Sequence, residues 1–207
     1  MKKYNDVLLY KILRPLITLL FKTLYRPKII GKENIPKNGG IILAGNHTHN
    51  LDCAILISST KRNIHFLAKA ELFQGIKKIF FANMGLIPVN RKTKDHNVLL
   101  HSYNYLTNEK IIGIFPEGRH NKGELLPFKI GAIKMAHETK TDIIPFAITG
   151  TYKIFSKDLT ITFGKPIKIK NNNLEEENEK LRNIVAKMID TNHLKTNIKV
   201  EETIWQR

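Results

Sequence analysis

Cysteine occurs once in the 207 residues, as Cys53, so the chain has no internal disulfide framework and suits a reducing compartment such as the cytosolic side of a membrane. Beside Asp52, that thiol reads as a small buried hydrophobe on a helix rather than as a nucleophile. Acidic residues are scarce: 18 Asp and Glu stand against 34 Lys and Arg, a net charge of +16 at pH 7. Such an excess draws a protein to polyanions, whether nucleic acid, an anionic bilayer or a phosphorylated small molecule. No zinc-finger, RRM or KH signature accompanies the charge, which removes the usual grounds for a nucleic-acid binder. Long hydrophobic runs are missing as well. The longest uncharged run of the N-terminal segment is 15–21, far short of the ~20 apolar residues of a membrane span, and no small-residue cleavage site follows it as in a signal peptide. Without repeats, low-complexity linkers or a visible boundary, a chain of this length reads as one domain able to bury its own core.

What is present centres on Asn46-His47-Thr48-His49-Asn50-Leu51-Asp52, a polar stretch between the apolar runs 41–44 and 54–57. A neutral imidazole takes up a proton near neutral pH, and a carboxylate beside it orients the ring and stabilises the imidazolium. His47 and Asp52 are such a pair. On one regular helix, five positions would set them roughly 140° apart. They meet only if the helix begins between them, with Thr48 or Asn50 as its N-cap.

Around this turn strands are expected at 28–30, 41–44, 63–68, 86–89, 111–115 and 143–149. Helices are expected from the turn to about 59, at 72–81 and at 96–108. That alternation predicts an α/β fold, a single layered domain over 27–207 with a mixed, largely parallel sheet flanked by helices. A last pair of strands, 160–163 and 167–169, is expected around Gly164-Lys165-Pro166. Asn173 then caps an amphipathic helix whose Leu181, Ile184, Val185 and Met188 face the core. Residues from 192 onward carry no legible pattern.

The segment 1–26 precedes this domain. Leu8, Leu9, Ile12, Leu13, Leu16, Ile17, Leu19, Leu20, Phe21 and Leu24 form a broad apolar face at helical spacing, and Pro15 is expected to kink or divide the helix. The first 30 residues hold seven Lys and Arg against one Asp. Composition leaves two readings open: an amphipathic helix lying in a bilayer interface, or a helix packed on the domain's own core.

Four stretches together resemble the glycerolipid acyltransferase family, which acylates glycerol-3-phosphate or lysophosphatidic acid. Asn46-His47 with Asp52 resembles its His-x-x-x-x-Asp motif. Gly85-Leu86-Ile87-Pro88-Val89-Asn90-Arg91 resembles the second motif, Gly-x-Ile-x-x-x-Arg. Phe115-Pro116-Glu117-Gly118 resembles the third and Ile144-Pro145-Phe146-Ala147-Ile148-Thr149-Gly150 the fourth. They stand in the family's order over most of the chain, from 31 to 169. Lys69-Ala70-Glu71-Leu72 resembles the Lys-x-Glu-Leu found between the first two motifs. Phe128-Lys129-Ile130-Gly131-Ala132, with Met135-Ala136, resembles the helix after the third.

The resemblance implies an enzyme that moves a fatty acyl group from acyl-CoA or acyl carrier protein to the free hydroxyl of 1-acyl-glycerol-3-phosphate, making phosphatidic acid, with no cofactor and no metal. It implies His47 as general base and Asp52 as its orienting partner. Arg91, Glu117, Gly118, Arg119 and Lys69 would seat the acceptor's glycerol phosphate, since a guanidinium fork matches phosphate geometry and glycine lets backbone N–H groups approach an anion. The third motif departs from the family, which usually continues Phe-Pro-Glu-Gly-Thr-Arg-Ser where this chain reads Arg119-His120-Asn121 after Gly118. Either His120 replaces the family arginine, or Arg119 is that arginine moved up by one; Arg119 is favoured because it grips phosphate with two bonds. An acceptor with an acyl tail has to be collected at a bilayer, so 1–26 is expected on an anionic membrane surface, peripheral or monotopic at the cytoplasmic face.

Three other readings compete. Glycerol-3-phosphate or another lysophospholipid would serve as acceptor with the same residues. A metal hydrolase would use His47, His49, Asp52 and His65 as ligands, but leaves the later three motifs without a purpose. A basic membrane-binding domain without catalysis would bind vesicles and turn nothing over.

Overall fold

A computed structural model of the chain describes residues 8–75, 77–90 and 96–205, with backbone only at 96–99 and 195–205. The strands are β1 Lys28–Ile30, β2 Ile41–Gly45, β3 Ile64–Lys69, β4 Ile87–Val89, β5 Ile111–Ile114, β6 Asp142–Thr149 and β7 Thr160–Phe163. The helices are α1 Leu8–Tyr25, α2 Asp52–Ser59, α3 Lys77–Asn83, α4 His96–Thr107, α5 Gly131–Thr139 and α6 Leu174–Trp205. The strands form one sheet in the order β1-β7-β6-β2-β5-β3-β4. All neighbours run parallel except β6 and β7. This is the mixed, largely parallel α/β layering expected from the alternation of elements.

β2 shows why the layers form. All five of its residues are buried, as in a parallel strand covered on both faces. The two-residue period sends Ile41 and Leu43 to the layer of α1 and α2, beside Tyr10, Phe21, Ile55 and Leu56. Ile42 and Ala44 face the opposite layer, with Ile133 and Met135 of α5 and Leu181 and Val185 of α6. The chain therefore leaves β2 toward one face and the neighbouring β5 toward the other. Where winding reverses in an open α/β sheet, a crevice opens at the carboxyl ends of the strands. His47 follows β2 and Glu117 follows β5 into that crevice.

α1 has two apolar faces, and the helix runs through Pro15 undivided. Tyr10 and Phe21 turn inward and are buried, with Ile17 and Tyr25 packed beside them. The Tyr10 hydroxyl accepts the Ile64 N–H at 3.1 Å. Arg14 donates twice to the Thr60 carbonyl, at 3.1 and 2.9 Å, where a cation meets the negative end of α2. On the other side of the wheel Leu8, Ile12, Leu16, Leu19 and Leu20 are exposed, Leu8 by 68% and Leu19 by 65%. Among the described residues no helix is long and apolar enough to cross a membrane.

Several local expectations need correction. α2 starts at Asp52 after Leu51, with no side-chain cap from Thr48 or Asn50, because the Asp52 carboxylate gathers the N–H groups of the turn instead. The segment after β7 does not pair with it: Ile167 bridges back to Ile143 of β6, while the Gly164 N–H is taken by the Pro145 carbonyl. The α6 helix runs on through the stretch that showed no pattern. Asn173 does cap it, its Oδ1 accepting the Glu176 N–H at 3.2 Å.

Gly45 lets β2 approach β6 just before the His47–Asp52 turn. A methyl there would come within 2.1 Å of the Phe146 carbonyl oxygen and 2.5 Å of its ring. Gly45→Ala is expected to lower unfolding stability by about 1–3 kcal/mol, read as a shift of the urea midpoint; an unchanged midpoint would contradict so close an approach of the two strands.

Candidate active site

Asn46 ends the β2 ladder with its side chain. Its Nδ2 donates to the Ile148 carbonyl and its Oδ1 accepts the Ile148 N–H, both at 2.7 Å. The backbone is thereby freed to turn while pairing with β6 continues through the amide. The next residue is His47, whose Nδ1 lies 2.8 Å from Asp52 Oδ2. The same oxygen accepts the Thr48 N–H at 2.6 Å and the His49 N–H at 2.9 Å. The other oxygen, Oδ1, accepts from the Thr48 hydroxyl at 3.2 Å and from the Tyr152 hydroxyl.

Burial of Asp52 pushes its carboxyl up, but hydrogen bonds from His47, the His49 N–H, Tyr152 and the Thr48 N–H outweigh it and hold the group below its ordinary value. An ionised carboxylate has no proton to give, so His47 Nδ1–H must be the donor. Nε2 is then the imidazole's basic nitrogen. Phe115 stacks on the His47 ring with centroids 4.1 Å apart, and His120 meets it edge-on at the same distance. The His47 side chain is 18% exposed against 0% for Asp52: an accessible base on a buried orienting group.

His47 lines a pocket of about 260 Å³ with Leu67, Val89, Ile114, Phe115, Met135 and Lys129 among its walls. The lining is apolar at the sheet ends and cationic where α5 begins. Gly118, at φ 71°, is in the left-handed region, and the place its Cβ would occupy lies 2.9 Å from Lys129 Nζ. The Lys129 N–H donates to the Pro116 carbonyl at 2.9 Å, which holds the start of α5 against the strand end.

The sequence-derived residues fall into distinct places. Glu117 is buried, and its carboxylate faces the chain: Oε1 accepts the His47 N–H at 2.7 Å, Asn121 Nδ2 lies 2.8 and 3.1 Å from its two oxygens, and Oε2 accepts the Leu126 N–H at 2.8 Å. It braces His47 and the following loop instead of standing in a phosphate seat. Arg119 is exposed and lines a separate hollow of about 520 Å³ with His120, Asn121, Lys122, Glu124 and Leu126. His120, against His47, is held below its ordinary value by desolvation and by His47; it is largely uncharged at neutral pH, a poor phosphate clamp. Lys69 ends β3, exposed. Arg91 lies outside the described residues. His65 does not join His47, His49 and Asp52: its Nδ1 meets the Gly85 carbonyl at 2.8 Å and its ring packs on Tyr105. The Cys53 thiol is pushed up to about 12 by burial and then by Asp52, so it stays protonated.

Lys129 and Tyr152 were not singled out from sequence as site residues. Lys129 lies in the stretch that resembles the helix after the third motif, and its charge at the start of that helix is the available signal. Tyr152 follows the fourth motif by two residues, with no local pattern to mark it.

The acyltransferase family model matches residues 26–149. A 1-acyl-sn-glycerol-3-phosphate acyltransferase of Borreliella burgdorferi is 33% identical over 172 residues, which are 78% of this chain and 69% of that protein. One of Bacillus subtilis is 31% identical over 147 residues, 68% of this chain and 73% of that protein. The crystal structure of PlsC, the 1-acyl-sn-glycerophosphate acyltransferase from Thermotoga maritima, superposes with a TM-score of 0.72 over 88% of this chain and 78% of that one, at 21% identity, a likeness of fold.

The donors around Asp52 make its ionisation part of the fold's stability. Because its folded pKa is depressed, that contribution is complete above the ordinary carboxylate value of 3.8 and is lost as pH falls through the depressed folded value. Asp52→Asn is expected to unfold at lower urea than wild type at about pH 7, with the gap narrowing below about pH 4. Urea midpoints at the two pH values check this, and a gap equally wide in acid would contradict the network.

Proposed function

The chain belongs to the acyltransferase family, and from that premise we propose that it transfers a fatty acyl group from a thioester donor, acyl-CoA or acyl carrier protein, to the free hydroxyl of lysophosphatidic acid, making phosphatidic acid. The observation that carries the reading is the 2.8 Å bond between His47 Nδ1 and Asp52 Oδ2 in the wall of the pocket. With Nδ1–H committed to Asp52, Nε2 takes the proton of the acceptor hydroxyl as its oxygen attacks the acyl carbonyl. The tetrahedral intermediate collapses, the carbon–sulfur bond breaks, and the imidazolium returns the proton to the leaving thiolate. Asp52 remains ionised throughout and steadies the imidazolium, the role of the carboxylate in a Ser-His-Asp triad. The acceptor oxygen is itself the nucleophile, so no acyl-enzyme is needed and no cofactor enters the scheme.

The about 260 Å³ pocket falls below the roughly 300 Å³ at which small-molecule sites usually begin. It suits the reacting ends of the two substrates, with their tails left in the lipid. Its apolar walls take the first carbons of the acyl chain. We assign the acceptor's phosphate first to Lys129, because it lines the His47 pocket beside Gly118, and then to Lys69 at the end of β3; the motif resemblance adds Arg91 and Arg119.

The outward face of α1 fits the lipid surface from which such an acceptor is drawn. Leu8, Ile12, Leu16, Leu19 and Leu20 lie beside exposed Lys11 and Lys22, and α3, packed against α1, adds exposed Ile79 and Phe80 with Lys77 and Lys78. An apolar stripe with a basic border lies in the interface of an anionic leaflet without spanning it, here at the cytoplasmic face.

The test is turnover by purified protein in mixed micelles, over a panel of lysophosphatidic acid, glycerol-3-phosphate and other lysophospholipids. His47→Ala is expected to abolish transfer and Asp52→Asn to lower it by about 10²–10⁴-fold, with folding kept by circular dichroism; His47→Ala retaining more than a few per cent of wild-type turnover would refute the base assignment. Preference for another acceptor would move the substrate assignment alone.

The membrane face has its own test, chosen to spare the buried side of α1. Leu16→Glu with Leu20→Glu is expected to release the protein from anionic vesicles in a flotation assay and to depress turnover of bilayer-embedded acceptor by about tenfold or more, leaving a short-chain soluble acceptor near wild type. Equal losses on both acceptors would place the effect in the fold instead.

A further inference from the structure

Tyr152 lies outside every stretch that the sequence marks for chemistry, yet its hydroxyl donates to Asp52 Oδ1. Burial raises its phenol above the ordinary value, and the charge of Asp52 and the hydrogen bond to it raise it further, so the proton stays on oxygen and the group acts only as a donor. Its ring stacks on His49 with centroids 4.5 Å apart. It meets Tyr25 of α1 edge-on at 5.9 Å and Phe21 at 6.3 Å. The same loop is pinned to α1 through its backbone, the Phe155 N–H donating to the Leu24 carbonyl at 2.6 Å, and the Arg26 guanidinium lies 5.7 Å from the centre of the Phe155 ring.

We propose that Tyr152 is a positioning residue for acyl transfer: seated on α1, it holds Asp52 Oδ1 so that Oδ2 stays on His47 Nδ1, and the dyad keeps its working geometry only while α1 is docked. The inference rests on the acyl-transfer reading above. A carboxylate turns about its terminal torsion with little resistance, and three donors converge on Oδ2 while the Thr48 hydroxyl reaches Oδ1 only at 3.2 Å. The phenol supplies the firm contact that stops the rotation. Without it the bond from His47 Nδ1 to Oδ2 loosens, and the base spends less of its time in the working orientation. The N-terminal helix thereby joins the site: its inward aromatic face seats Tyr152, and Tyr152 aligns the base.

Tyr152→Phe in the full chain removes the hydroxyl and keeps the ring contacts. It is expected to lower kcat by about tenfold with the acceptor KM unchanged, and to weaken the hydrogen-bonded Nδ1 proton signal of His47 in NMR spectra. Tyr25→Leu, which leaves the hydroxyl in place but loosens its seat, is expected to give a kcat between those of wild type and Tyr152→Phe. A Tyr152→Phe kcat within about twofold of wild type, or a His47 Nδ1 proton signal that does not change, would overturn the positioning role; a Tyr25→Leu kcat equal to wild type would overturn the part played by α1. Absence of acyl transfer by the wild-type protein on every acceptor of the panel would instead refute the acyl-transfer reading, and the His47 Nδ1 proton signal of wild type against Tyr152→Phe would still decide whether Tyr152 acts on the dyad.

Discussion

A carboxylate withdrawn from water carries a penalty of several kcal/mol unless donors meet its oxygens, and Asp52, 0% exposed, is met from within its own turn and from one distant tyrosine. The shape of the region follows. The chain leaving β2 must curl so that the N–H groups of Thr48 and His49 point at a side chain three and four residues ahead, and α2 can begin only where that side chain is anchored. The same demand sets the imidazole, because the ionised oxygen accepts the Nδ1–H hydrogen bond and leaves Nε2 as the basic nitrogen. Asn46 and Glu117 hold the turn from either side, one on β6 and the other on the loop after β5. The reversal of winding between β2 and β5 brings these two strand ends together at one crevice.

α1 bears on a question that composition leaves open. Its inward residues, Tyr10, Arg14, Phe21 and Tyr25, are aromatic or hydrogen-bonded into the α2 layer; its outward residues are aliphatic and exposed. A helix packed only on a core would keep a polar outer face, and one lying only in a bilayer would not bury a tyrosine hydroxyl against a strand N–H. The inward side is the core-packed helix of one reading, and the outward side is the exposed apolar face on which the proposed bilayer contact rests.

The sheet and its order of elements are legible in the sequence because β2, β5 and β6 are continuous apolar runs, as buried parallel strands are, with helical spacing between them. The pairing of His47 with Asp52 is legible because it is local, fixed by a spacing and a helix start. What escapes is long-range. Tyr152 is separated from Asp52 by 100 positions and has no spacing rule to connect them. Glu117 sits in a recognisable motif, but whether its carboxylate faces substrate or chain depends on the Asn121 and Leu126 donors across the loop. The cap expected from Thr48 or Asn50 fails for a related reason: capping rules weigh isolated helix starts, whereas this one competes with a buried carboxylate for the same N–H groups.

If Asp52 fixes His47 as the Nδ1–H tautomer, Nε2 is left to accept the substrate proton. Side-chain nitrogen NMR of the neutral imidazole in the folded enzyme reads that tautomer. The expected spectrum shows a protonated Nδ1 with a hydrogen-bonded proton shift and an unprotonated Nε2, and Asp52→Asn loses that pattern. A neutral His47 carrying its proton on Nε2 in the wild-type enzyme would contradict it.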